Sequence, residues 1–160
     1  MRSPRLETVR SRTTPFTSAA YHTSDTTRSL TSRHTRWRVR NVPAATLSVY
    51  APTRLRGGLL WEARFHITAH QELKNAILEL GTGWAEGMSI NTIEPSPTGE
   101  ASDNGKLEFT LGHIPKDQSF ILYTQFQVNP TTVGHRSRST WLYDGETELA
   151  AVHQKVTIFP

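Results

Sequence analysis

From about residue 44 onward, apolar and polar residues alternate with a period of two. The clearest segment, 59–68, has apolar side chains at its odd positions and, from Glu62 on, polar side chains at its even positions. This alternation is typical of a β-strand with one buried and one solvated face. Segment 73–80 also fits a helical stripe. We predict a strand there, because Gly81 and Gly83 end it and the neighbouring segments are strands.

Similar segments recur along the chain and are separated by turn residues. They cover residues 45–50, 59–68, 73–80, 88–93, 107–111, 120–128, 138–143 and 149–159. Asp103-Asn104-Gly105 predicts a tight hairpin, since Asn-Gly supplies the positive φ that such turns need. The breaks at 81–87 and 94–103 suit crossovers between two sheets. We therefore predict an immunoglobulin-like antiparallel β-sandwich of about seven to nine strands.

The N-terminal segment differs in composition from the rest of the chain. Residues 1–40 contain nine Arg, no Lys and two acids, for a net charge of +7, whereas the remainder carries −3. Ser and Thr are frequent and the apolar residues have no period, so we predict a disordered tail at 1–43 and a folded domain at 44–160. Three other interpretations stay open: a segment that contacts anionic lipid or nucleic acid, an organellar transit peptide, or sequence translated from upstream of the biological start.

Several chemistries are disfavoured. The chain has no Cys, which excludes disulfides and thiolate metal sites. The apolar runs are too short for a membrane-spanning helix or a secretory signal. His66 and His70 would lie about 13 Å apart on a strand, too far to share a metal ion. Residues 99–107 lack the spacing of a phosphate-binding loop, and no Gly-x-Ser-x-Gly occurs. We predict no enzyme, cofactor or metal, and no nucleic-acid surface on the mildly acidic domain.

Two resemblances accompany this pattern. Leu111-Gly112-His113-Ile114-Pro115, followed by a long strand, resembles a step in the immunoglobulin-like conserved-repeat domains of bacterial surface proteins. Arg56-Gly57-Gly58, Glu94-Pro95-Ser96-Pro97 and Tyr143-Asp144-Gly145-Glu146 resemble small uncharacterised actinobacterial proteins over about residues 45–160. Those proteins are single-span membrane proteins whose sandwich lies outside the membrane. The resemblance implies an extracytoplasmic, cell-envelope location and no known activity.

The tryptophans suggest where a site could lie. We expect Trp61 and Trp141 in the core, because they occur in alternating strands. Trp84 lies in the glycine-rich segment 81–87, where its ring either plugs one end of the sandwich or forms an exposed contact. On the second interpretation, Trp84, Glu86 and Met88 form a binding site.

Two functions are compatible with the sequence. The first is a non-catalytic extracytoplasmic interaction domain with an unidentified protein partner. The alternative is a carbohydrate-binding or glycoside-hydrolysing module that combines Trp84 with the loop carboxylates Glu94 and Glu100. Exposure of Trp84 beside those carboxylates would distinguish the two functions.

Overall fold

The structure is a computed structural model that describes residues 35–160. The part of the predicted tail up to residue 34 lies outside the described residues. The described chain contains eleven β-strands and one short 3-10 helix, Thr82–Trp84. The strands are β1 Thr35–Asn41, β2 Ala45–Pro52, β3 Arg54–Arg56, β4 Leu60–Ala69, β5 Leu73–Leu80, β6 Met88–Glu94, β7 Gly99–Asp103, β8 Lys106–Ile114, β9 Ser119–Val128, β10 Gly134–Asp144 and β11 Thr147–Phe159.

The strands form two stacked sheets. The five-stranded sheet has the order β1-β2-β4-β9-β6, and the six-stranded sheet has the order β3-β11-β10-β5-β8-β7. Neighbouring strands are antiparallel except β3 and β11, which pair in parallel. The predicted β-sandwich is confirmed, and the ambiguous segment 73–80 is the strand β5. Within residues 35–160, no helix has the length and apolar character needed to cross a membrane.

The domain begins earlier than the predicted boundary at residue 44. β1 pairs with β2 at every position from Thr35 to Asn41, so these residues belong to the five-stranded sheet. Every β1 residue after Thr35 is exposed. An edge strand needs a backbone partner on one side only and no buried face, so its hydrophobic pattern is weak. This is why the sequence pattern assigned β1 to the tail.

The predicted break at 94–103 also contains a strand. β6 continues to Glu94, and β7 then pairs with β8 from Gly99 to Asp103. β7 is an edge strand with no buried residue, and its sequence therefore resembles that of a loop. The predicted hairpin turn that follows is confirmed, with φ of 50° at Asn104 and 78° at Gly105. The strand count exceeds the predicted seven to nine because β1, β3 and β7 are short or exposed edge strands.

The core lies between the inward faces of the two sheets. It includes Leu47, Val49, Phe65, Ile67, Leu78, Leu80, Trp84, Leu122, Phe126 and Leu142, all without solvent exposure. Trp61 is buried as predicted. The prediction for Trp141 is wrong. Arg138, Thr140 and Leu142 of β10 face inward, so Trp141 lies on the outer face, where the Lys106 Nζ is 4.9 Å from its ring centroid.

Candidate functional site

Trp84 is a core residue and offers no contact surface. Its side chain is 0% exposed, and its indole Nε1 donates a hydrogen bond to the Ser139 carbonyl oxygen at 3.1 Å. Its ring lies 5.1 Å from that of Phe65 and 5.7 Å from that of Phe126. Gly83 permits this insertion, because a Cβ there would collide with the Ser137 carbonyl oxygen. The interpretation of Trp84 as a plug is therefore the one that fits the structure.

Trp84 and Trp61, whose rings are stacked with centroids 6.2 Å apart, both contact a buried arginine. The guanidinium carbon of Arg138 lies 4.3 Å from the Trp61 ring centroid and 4.8 Å from that of Trp84. The side chain is 1% exposed. It donates a hydrogen bond to the Pro52 carbonyl oxygen at 3.2 Å, and its Nε has no partner among the described residues. Sequence alternation gave no indication that this inward position of β10 would hold a cation.

No carboxylate of residues 35–160 pairs with Arg138, so its charge is costly to bury. Burial lowers the pKa of Arg138 to about 9, so the side chain remains charged at neutral pH. The two indole faces oppose this shift, because their π-electrons attract a cation by up to about 2 kcal/mol in a desolvated setting. The arginine and both tryptophans therefore form a structural unit of the core rather than an accessible site.

The other two predicted site residues do not form a surface with Trp84. Met88 is buried, and its Sδ lies 3.6 Å from an Arg138 amino group. Glu86 is exposed, with its carboxylate 3.5 Å from the Nε of Arg136. The alternative site also loses its aromatic platform, because Trp84 is buried and cannot face a ligand beside Glu94 and Glu100.

An open cleft lies at one side of the sandwich, between the edge strands β6 and β7. Its volume is about 520 Å³. Ile90 and Ile93 from β6 and Leu107 and Phe109 from β8 form its apolar surface. Glu100 and Ser102 of β7 pair with Phe109 and Leu107, so they lie on the same inward face of the sheet. We call this hollow the β6–β7 cleft.

The two strands beside the cleft differ in regularity. β7 pairs with β8 through five consecutive positions, Gly99 to Asp103, without a register shift. β6 has a bulge between Ile90 and Thr92, which disturbs its ladder with β9. Bulges of this kind are a common way to make an edge strand unsuitable for further pairing. The β7 edge therefore provides the regular row of free backbone groups.

Carboxylates gather on this side of the molecule. We define the acidic edge as Glu94, Glu100, Asp103 and Glu108, which lie on β6, β7 and β8. Within residues 35–160, none of the four lies within 4 Å of a basic group, although Lys106 is opposite Asp103 in the β7–β8 ladder and binds Glu79 instead. Glu100 contributes directly to the lining of the cleft.

Arginines gather on the opposite side. We define the basic edge as Arg36, Arg38 and Arg40 of β1 together with Arg54 and Arg56 of β3. β1 and β3 are the edge strands farthest from β6 and β7 in their sheets. The described chain holds 12 basic and 12 acidic side chains, so the separation occurs in a domain of zero net charge.

Metal ligation has no support in the described residues. Residues 35–160 contain no group of three or more His, Asp or Glu side chains arranged to hold an ion. His66 lies within β4, whereas His70 follows it and its Nε2 is 2.8 Å from the Thr46 hydroxyl.

Comparisons with known proteins give a fold similarity only. No protein-family model and no curated protein matches the chain. Among solved structures, AvmM, which catalyzes macrocyclization in alchivemycin A biosynthesis, has a TM-score of 0.48 at 7% identity over 79% of this chain and 89% of that one. A CARDB domain from Pyrococcus furiosus, in complex with di-metal ions, has a TM-score of 0.46 at 12% identity over 79% and 90%.

The sporulation control protein Spo0M from Bacillus subtilis has a TM-score of 0.44 at 13% identity, over 74% of this chain and 51% of that one. At such identities the similarity concerns the β-sandwich alone. Because one fold carries many activities, no function is transferred from it.

Replacing Trp84 with Ala should destabilise the domain strongly. The change removes a fully buried ring, and such truncations cost about 3–5 kcal/mol in free energy of unfolding. Urea denaturation followed by circular dichroism measures the loss. The matched control is Trp37→Ala, which truncates a ring that is 49% exposed and should cost less than about 1 kcal/mol. A loss below about 1 kcal/mol for Trp84→Ala would contradict the plug role.

Substitutions of Arg138 should distinguish the free-energy cost of burying its charge from the stabilisation given by its packing against the indoles. Arg138→Met keeps an unbranched chain against the two indoles and removes an unpaired buried charge, so the variant should be as stable as the parent or more stable. Arg138→Lys keeps the charge but loses the planar stacking, and should destabilise by about 2–4 kcal/mol. Thermal and urea unfolding of both variants measure this order. If the Met variant were less stable than the Lys variant, the cation itself would be what stabilises the core.

Proposed function

We propose that this protein is a non-catalytic protein-binding domain that takes up an extended, basic peptide segment in the β6–β7 cleft. The segment is a partner's strand that pairs with β7 and extends the six-stranded sheet. The observation that carries the proposal is the regular, free edge of β7 beside an apolar cleft with carboxylates at its rim.

Backbone pairing is the first support. β7 is paired with β8 on one side only and ends its sheet. Its free N–H and C=O groups can therefore accept an added strand, which is a recurrent mode of peptide recognition. The bulge in β6 directs the added strand to β7 rather than to β6.

Side-chain packing is the second support. Alternate residues of a strand beside β7 would point inward, toward the face that carries Glu100 and Ser102. There they would contact Ile90, Ile93 and Phe109. Burial of apolar side chains would add about 25 cal/mol for each Å² removed from water. Apolar residues at alternate positions are thus the favoured partner chemistry.

Charge is the third support. Lys106, the basic side chain beside Asp103 and Glu108, is paired with Glu79 at 2.9 Å, so a cationic segment can approach the acidic edge without breaking an ion pair of its four carboxylates. Rim charges of this kind raise association rates and select partners more than they add affinity. Screening by salt should weaken them, since the Debye length is about 10 Å at 0.1 M.

A blocked seven-residue peptide of alternating arginine and valine should bind the full chain. We expect it to bind at least about tenfold more tightly than the same peptide with glutamate in place of arginine. NMR titration should perturb amides of β6, β7 and β8. Glu100→Lys combined with Glu108→Lys should reduce binding, whereas the matched exposed pair Glu146→Lys and Glu148→Lys should not. Equal binding of both peptides, or shifts elsewhere in the fold, would contradict the proposal.

We also propose an extracytoplasmic location, which rests on the resemblance to actinobacterial membrane-anchored proteins. In intact host cells, the natural gene product should be degraded by added protease while a cytoplasmic marker survives. Protection of both proteins would refute the location without affecting the binding proposal.

A further inference from the structure

The proposed function leaves open which protein supplies the basic strand. Resting on that function, we propose that the occupant of the β6–β7 cleft is β1 of a second copy of this chain. Copies would then associate head to tail, with the basic edge of one against the acidic edge of the next.

The first step is the position of the two edges. β1 ends the five-stranded sheet on the side opposite β6, about 19 Å away at the usual strand spacing. β7 ends the other sheet on the β6 side. Because the two edges lie on opposite sides of one molecule, each copy can offer β1 to one neighbour and the cleft to another.

The second step is the regularity of β1. Its register with β2 runs without a shift from Thr35 to Asn41, and β2 covers only one of its sides. The other side offers free backbone groups, as β7 does. A long exposed edge with large apolar side chains is a site at which proteins pair with other chains.

The third step is the match of side chains. Trp37 and Val39 share one face of β1, and they are 49% and 61% exposed. We infer that this face enters the cleft and covers Ile90 and Ile93. The three arginines of β1 lie on its opposite face, across from buried residues of β2, and would adjoin the face of the neighbour that carries Asp103, Lys106 and Glu108.

The fourth step is the choice between two self-associations. Pairing of β1 with β1 of another copy would bring six arginines together, which like-charge repulsion opposes. Pairing of β1 with β7 joins opposite charges. The resulting interface is heterologous, so it produces chains or closed rings rather than only a two-fold dimer.

Sedimentation velocity of the full chain is the first test. The weight-average mass should rise between about 5 and 500 µM at low salt, and 0.5 M salt should reduce it because the Debye length then falls below about 5 Å. Arg36→Glu with Arg38→Glu, or Glu100→Lys with Glu108→Lys, should each weaken self-association at least about tenfold. Arg10→Glu with Arg12→Glu is the matched control and should leave it unchanged.

Mixing the two reversed variants gives the sharpest result. In each variant alone one edge has lost most or all of its charge: the basic edge falls from +5 to +1 in the first, and the acidic edge goes from −4 to 0 in the second. In the mixture, the unaltered basic edge of one variant meets the unaltered acidic edge of the other, so association should return. Failure of the mixture to associate would overturn the proposal.

Disulfide trapping locates the contact. The chain has no Cys, so single replacements report cleanly. Val39→Cys mixed with Ser102→Cys should form a mixed disulfide under mild oxidation, whereas Val39→Cys alone should not form a homodimer. A Val39→Cys homodimer would indicate pairing of β1 with β1 and overturn the head-to-tail arrangement.

The outcomes separate this inference from the function on which it rests. If the arginine–valine peptide binds at the cleft but the full chain stays monomeric to about 500 µM, weaker than the usual range of specific complexes, the self-association is wrong and the peptide-binding function stands. If only the Arg10→Glu, Arg12→Glu variant loses self-association, the N-terminal segment occupies the cleft and the assignment of β1 as occupant is wrong. If neither peptide nor second copy binds, both proposals fail.

Discussion

The burial of Trp84, whose ring packs against Trp61 and Phe126 and contacts the guanidinium of Arg138, is the interaction on which the arrangement of the core depends. A charge with no carboxylate partner is tolerated there because two indole faces lie within 4.8 Å of it and the Pro52 carbonyl accepts one of its hydrogen bonds. These contacts join β10, β4, the 3-10 helix and β2, and so connect both sheets at one end of the sandwich. The tryptophan that fills this end is consequently unavailable for binding, and any partner surface must lie elsewhere.

The edge strands of the two sheets are the remaining candidates for a partner surface. An edge strand presents an ordered row of unpaired backbone groups, which the faces of a sheet do not. Among the edge strands of residues 35–160, β1 and β7 are longer than β3 and free of register shifts, and each carries charge of one sign. Net charge is zero over the described chain, so the separation is a property of topology: order within the sheets places the arginine-bearing strands and the carboxylate-bearing strands at opposite sides.

The sequence predicted the strands that have one buried face and the turns that need a particular backbone conformation. Alternation in 59–68 predicted β4, and the Asn104-Gly105 turn was predicted from its backbone requirement. The prediction failed at Trp141, where alternation was read without knowing which face of β10 is inward. Which alternate residues of a strand face the core depends on the strands beside it. An arginine at position 138 is recognised as a core residue only when its contacts with Trp61 and Trp84, from distant segments, are known.

The same limit explains why the sequence indicated two carboxylates of the candidate site, Glu94 and Glu100, but neither of the edge strands β1 and β7. A strand gives a hydrophobic pattern only where one face is buried, and β1 and β7 bury almost nothing. Their sequences therefore resembled a tail and a loop, although both are regular ladders. Free backbone edges and unburied side chains are what permit pairing with another chain. The exposure of β1 and β7 makes them suitable for binding and also leaves them without a hydrophobic pattern. They are recognised only from their pairing with β2 and β8.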